Sequence, residues 1–271
     1  MMNSSYIENN TFITQKINMA VRDIADVIER LNEIIAQTKA SGNRMGYFAA
    51  LYKRMTVAVQ NGINANLFED GQRMNRLDIC FAQRYFDAYE TYNAGSSCST
   101  AWKCAFDYCR DDGLTVIQHL ILGVNTHINL DLAIAAAEIS KDSNIDTLAY
   151  DFNKINDVIA SLVVDVQESL CHVWFPMRML TKIANNRQMA VLNFSIDKAR
   201  TASWSNALLL WGMNEAQQQV YIQQMDTTVC TLAKGIRSPG MIMSLLLKGI
   251  RSTEYDDAAR TIRLIDTTVI D

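Results

Sequence analysis

Nothing before Pro176 forces a break in a helical ladder: the chain carries only two prolines, Pro176 and Pro239, and its 11 glycines are thinly spread. That scarcity favours long uninterrupted helices over a sheet protein full of tight turns, and strand-like alternation is rare throughout. Apolar residues recur instead at spacings of three and four, as in Ile13, Ile17, Val21, Ile24, Ile28, Leu31 and Ile35. The expectation is an all-α fold.

The same periodicity predicts helices over about Phe12–Ala40, Gly46–Gln60, Gly71–Asn93, Leu114–Ile139, Asp146–Cys171, Phe194–Trp211, Asn214–Lys234, Met241–Lys248 and Thr253–Ile265. A further one runs to Arg110 from a cap at Ser99 or Thr100. Two helices end on the same pentapeptide, KGIRS at Lys234–Ser238 and Lys248–Ser252; its glycine reads as a left-handed C-cap and its cations suit a helix C-terminus. No Gly/Ser/Pro-rich linker divides the chain. A single bundle-like domain, residues 1–271, of nine to ten helices around a buried central helix is expected, with 1–11 as a flexible tail. Hydrophobic residues make up 49% of the sequence, enough for a sizeable core.

A formal charge of −4 offers no basic surface to a phosphate backbone, so no nucleic acid partner is expected. The start, MMNSSYIENN, lacks the apolar core of a secretory signal, and no apolar run suggests a membrane span. The expectation is a cytoplasmic protein. Six cysteines without a CxxC pair read as reduced and structural, and the sequons at Asn3, Asn9 and Asn193 as chance.

Chemistry concentrates in QHLILGVNTHINLDL, Gln118–Leu132, which holds two of the chain's three histidines. Apolar residues cover most of this segment's helical wheel, so it is expected to be buried, and its polar groups then require partners. His119, Gly123, His127 and Asp131 recur every fourth residue along one side. The two histidines are ~12 Å apart along the axis, too far to share one ion from a straight helix. His127 and Asp131, one turn apart, are the better pair: they can share a divalent metal such as zinc, or Asp131 can orient His127 for acid-base work. His172 becomes a third ligand if the helix before it returns antiparallel. His119 is a second polar contact, and Gly123 leaves a gap between the imidazoles. Gln118, Asn125 and Asn129 lie on another side, where amides tie neighbouring helices together or face a ligand. Arg84 in FAQRYFDAYETY, and Arg200 with Trp204 in ARTASW, place guanidinium groups beside aromatics and can grip an anionic group. The ladder Asn153, Asp157, Ser161 and Asp165 reads as a solvated face.

No HExxH, GxSxG, GxxxxGK or GxGxxG occurs, so zincin, serine hydrolase, nucleotide and redox-cofactor sites lose their usual support. The central segment, with Arg84-Tyr85-Phe86 and Ala101-Trp102 upstream and Asp151-Phe152-Asn153 downstream, resembles a bacterial family of unknown function, DUF5995, marked by a QHLxxGxNxHIxxDL core. The resemblance implies one all-helical domain with the polar central helix as its hallmark, and no activity. Two functions remain open on the residues themselves. One is a hydrolase- or lyase-type enzyme acting on a partly apolar small molecule through His127 and Asp131, with His119 as a further contact. The other is a non-catalytic ligand-binding or interaction protein in which the His/Asn/Asp cluster is a buried polar network. Apolar residues in Asn206–Trp211 offer a surface for a homodimer.

Overall fold

A computed structural model of the chain describes residues 21–158 and 196–267. The expected tail, His172, the turn around Pro176 and most of the helix expected over Asp146–Cys171 lie outside the described residues. Among the described residues there are ten helices and no strand. They are α1 (Ile24–Ser41), α2 (Met45–Asn64), α3 (Gly71–Asn93), α4 (Thr100–Tyr108), α5 (Val116–Ile139), α6 (149–158), α7 (Ile196–Trp211), α8 (Glu215–Arg237), α9 (Met241–Arg251) and α10 (Ala258–Asp266).

Side chains just ahead of the helices set where they start. Asp23, Asp70, Ser99 and Asp257 each accept a hydrogen bond from a backbone N–H in the first turn of the helix that follows. Thr115 with Gln118, and Asn214 with Gln217, form reciprocal capping boxes at α5 and α8. Two starts are also capped from a distance: Asp226 of α8 accepts from the N–H groups of Thr100 and Ala101, and Glu254 accepts from that of Val116. Each of these carboxylates stabilises a helix start and fixes how two elements dock.

The KGIRS repeats act otherwise than their composition suggests. Neither Gly235 nor Gly249 is in the left-handed region, which is occupied among glycines by Gly42, Gly95 and Gly240. Both helices run through their glycine and end at Ser238 and Ser252. The cations do lie in the last turns, as the dipole favours.

Helix α5 is the axis of the domain. Around its N-terminal half pack α2, α4 and α8; against its C-terminal half lie α3 and α7. Length and hydropathy alone would let it cross a bilayer, but nearly all of it is buried within the fold. Its apolar character is therefore accounted for by core packing, where a buried Leu or Ile contributes roughly 1.5–3 kcal/mol. The outer layer is α1, α2 and α10, which meet closely at Gly46, where a Cβ would overlap Thr38 and Ile262. Asn153 and Asp157 face solvent, as expected of their ladder, with Asp157 paired to Lys154.

Candidate functional site

Helix α5 changes its winding at His127. From Val116 to Thr126 it is an ordinary α-helix; over His127–Leu132 it widens into a π-helix, then returns to α-helix at Ala133. Such insertions re-aim side chains within an otherwise regular helix and often mark functional positions.

Asp131 lies in this wide turn, 2% exposed, and gathers donors from three helices. The indole N–H of Trp102 on α4 donates to Oδ2 at 2.8 Å, and Arg84 on α3 donates from Nε to Oδ1 at 3.3 Å. Nδ1 of His127 lies 3.0 Å from Oδ2. Because a carboxylate held between an indole N–H and a guanidinium can only accept, the His127 proton belongs on Nδ1. This leaves Nε2 as a bare lone pair.

The His127 ring sits in an aromatic box. It stacks on Phe81 with centroids 3.5 Å apart and planes 9° from parallel, and meets Tyr52 edge-on at 4.5 Å and Phe48 at 5.6 Å. Burial holds the imidazole below its usual pKa, outweighing the support of Asp131, so His127 is neutral at pH 7. Nε2 has no hydrogen-bond partner.

His127 lines a part-open, almost wholly apolar cavity of about 60 Å³ between α2, α3 and α5, with Phe48, Val59, Leu77, Val124 and Leu132 among its walls. Three further lining residues bring buried polar groups: Asp78 Oδ2, which has no hydrogen-bond partner, and the hydroxyls of Tyr52 and Thr56, which interact with each other. Burial alone pushes the Asp78 carboxyl up to about 7. It also holds the Tyr52 phenol well above its usual range, with the nearby carboxylates of Asp78 and Asp131 adding to the effect. On the other side of the His127–Asp131 pair, Asp131, Arg84 and Trp102 border a second pocket of about 190 Å³, more open and more polar, with Asp87, Thr91 and Ser99.

A family model described as a family of unknown function, DUF5995, matches residues 24–239. The chain belongs to DUF5995. No curated protein and no solved structure matches it. The DUF5995 match takes in every residue bordering both pockets, including Arg200 at the far end, and stops before α9.

Of the residues singled out in the sequence, Arg84, His127 and Asp131 come together as one hydrogen-bonded group. His119 does not join it. Its ring packs edge-on to Tyr47 at 5.8 Å, borders neither pocket, and is pushed down to about 3 by burial and the nearby Arg44. The gap expected at Gly123 is filled by the ring of Phe48. Asn125 donates to the Val229 carbonyl and accepts from Asn129, while Gln118 donates to the Ile236 carbonyl. These amides tie α5 to α8. Arg200 lies over the Phe152 ring and donates to Asn156 and to the Phe152 carbonyl, yet still borders the apolar cavity; Trp204 packs on the same ring at 4.9 Å.

A shared metal fits this group poorly. Nδ1 of His127 and Oδ2 of Asp131 are committed to each other, so the two side chains do not converge on one ion through these atoms, and no cluster of three His, Cys, Asp or Glu able to hold an ion occurs among the described residues. His172 lies outside them. Asp78, Tyr52 and Thr56 escaped the sequence reading. The signal available was Asp78 itself, a carboxylate on the same face of α3 as Met74, Leu77 and Phe81, where burial demands an explanation.

Proposed function

We propose that this DUF5995 chain is a small-molecule enzyme whose general base is Nε2 of His127, and that its chemistry is proton transfer of the lyase type. One observation carries the reading: an imidazole in the wall of a cavity, its tautomer fixed by Asp131, keeps a buried lone pair without a partner. A neutral histidine is ready to take a proton, and the carboxylate behind it stabilises the imidazolium that results. The apolar walls favour a partly apolar substrate. Elimination asks less of such walls than hydrolysis, because it needs a base and an acid but no held water.

Asp131 and Trp102 act as positioning residues in this reading. Trp102 holds Asp131, Asp131 holds the ring of His127, and none of the three depends on a bound cofactor. The Arg84 guanidinium balances the carboxylate from the open pocket.

A second reading has its own support. Asp131 ties α3, α4 and α5 together, and buried networks of that kind can serve helix register alone, in a protein that binds without turnover. Nitrogen-15 NMR of the imidazoles separates the two. The enzyme reading requires His127 to be neutral at pH 7 with its proton on Nδ1; an imidazolium, or a proton on Nε2, sinks it. Turnover of a panel of β-substituted carbonyl compounds, lactones and esters, lost in His127→Gln with the fold retained, is the expected functional result. A panel left untouched by the wild type, with His127→Gln affecting stability only, favours the binding reading.

A further inference from the structure

Among the described residues Asp78 is the one carboxyl lining the cavity, and the proposed function above does not use it. It lies on α3 one turn before Phe81, whose ring stacks on His127, and it is 8% exposed. It makes no hydrogen bond and no ion pair among the described residues, and its Oδ2 is fully enclosed. The charged or titratable groups that share its cavity come from three other helices: Tyr52 from α2, His127 from α5 and Arg200 from α7. Of these, Arg200 is engaged with Asn156 and Phe152, so among the described residues no cation is committed to the Asp78 carboxylate. An acid buried without a counter-charge keeps its proton, and the shift of Asp78 to about 7 follows from burial alone. A protonated carboxyl in an apolar site is a strong hydrogen-bond donor waiting for an acceptor.

We infer that Asp78 is the acid partner of His127 and that the pair acts on a small enolisable carbonyl compound, Asp78 binding the carbonyl oxygen while His127 removes a proton from the neighbouring carbon. The inference rests on His127 as base. The step balances as a tautomerisation. The α C–H bond breaks as the N–H bond forms on Nε2, the freed pair becomes the C=C bond, and the carbonyl π pair moves onto oxygen. That oxygen takes the Asp78 proton, leaving one carboxylate and one imidazolium in place of two neutral groups. Reversal restores both; where a leaving group sits on the β carbon, the enol proton returns to the Asp78 carboxylate as the carbonyl re-forms, the enol C=C pair becomes the bond between the α and β carbons, and the leaving group departs with its bonding pair and takes the imidazolium proton. The Tyr52 hydroxyl, paired with Thr56 on the same wall, can turn to this oxygen as a second donor.

Cavity size restricts what enters. About 60 Å³ takes roughly four non-hydrogen atoms, a carbonyl with its two neighbouring carbons, so a longer substrate must keep its remainder outside. The walls contributed by Met55, Val59, Met74 and Leu132 select an apolar reacting end.

The test uses acetone and butanone in D2O with the full chain, following loss of α-proton signal by proton NMR. Wild type is expected to exchange above the buffer rate, His127→Gln to fall to background, and Asp78→Asn to lose roughly 100-fold or more. An infrared spectrum at pH 6 adds a readout independent of turnover: the wild type should show a protonated carboxyl band that Asp78→Asn removes. If that band is absent, or if Asp78→Asn exchanges like wild type while His127→Gln does not, the role of Asp78 is overturned and the base survives. If the wild type exchanges neither ketone, the carbonyl class is overturned, and the His127 tautomer still decides the base separately. Asp78→Ser, checked by circular dichroism, replaces Asp78→Asn should the amide prevent folding, with the same loss expected.

Discussion

The ring of Phe48 rests directly on Gly123: a Cβ added to the glycine would lie 2.8 Å from the Cβ of Phe48 and closer still to its ring. What the spacing of histidines suggested was an opening is thus a seat for an aromatic that also contacts Tyr85, Trp102 and His127. Gly123→Ala is expected to destabilise the fold by about 1–3 kcal/mol through overpacking, although alanine is the better helix former by about 1 kcal/mol. Urea denaturation measures it. Phe48→Leu in the same background should recover part of the loss; a stabilised Gly123→Ala single variant would show that α2 and α5 do not meet there.

Asp131 carries donors from α3, α4 and α5, so its removal is felt by all three. Asp131→Ala leaves the Trp102 indole N–H without its buried acceptor and His127 without its orienting partner, and should cost about 3–5 kcal/mol. Arg84 softens the loss because its side chain is 30% exposed and can turn to water. Trp102→Phe removes one hydrogen bond and should cost roughly 1–2 kcal/mol. A double-mutant cycle between the two should return a coupling well above the additive expectation, and strict additivity would argue against the network.

Most of the fold was legible because helix starts are written in short polar signatures and helix faces in spacings of three and four. Ser99 caps where its signature predicts, Asp70, Thr115 and Asn214 cap within about a residue of the expected starts, and α3 has the expected bounds. The amides of Gln118 and Asn125 also tie helices as their place on the wheel suggested. The site was half legible. The pairing of His127 with Asp131 follows from one turn of helix, but a wheel drawn at ~100° per residue cannot anticipate a π-helix beginning at His127 itself. Nor does a one-helix pattern reveal what faces it. Asp78 and Tyr52 reach the cavity only because α2 and α3 pack across α5, a tertiary fact with no local spacing. Gly235 and Gly249 misled in the opposite way, since a glycine near cations resembles a cap even where the helix continues through it.

The Asp78 carboxyl sets a stability test with a definite sign. Its pKa rises from 3.8 unfolded to about 7 folded, so between these values the native state holds the extra proton. Stability from this group is therefore full below pH 4, declines as pH rises, and is lost by about pH 7. Asp78→Asn should match the wild type in acid and become more stable than it above pH 7, by about 2–4 kcal/mol. Urea midpoints between pH 4 and 8 provide the measurement. His119, held at about 3 in the fold against 6.5, acts in the other direction and penalises the native state as pH falls below 6.5. Because it is present in both proteins, it cancels in the comparison, and a difference that does not depend on pH would mean that Asp78 is already ionised in the fold.

The two KGIRS glycines provide a test of backbone physics away from the site. Gly235 and Gly249 lie within the last turns of α8 and α9, neither has positive φ, and a Cβ at either would have no neighbour within 4 Å. With no strain and no clash to offset it, alanine should gain the helix-propensity difference and reduce the freedom of the unfolded chain. Gly235→Ala and Gly249→Ala are each expected to stabilise by about 0.5–1 kcal/mol, adding in the double variant because the sites lie in separate helices. Gly42→Ala is the control: its φ of +63° at the C-cap of α1 is a conformation alanine adopts only under strain, so it should destabilise by about 1 kcal/mol. Thermal melts of the three variants decide the matter. Destabilisation at Gly235 or Gly249 of the size seen at Gly42 would restore the capping role that their sequence context suggests.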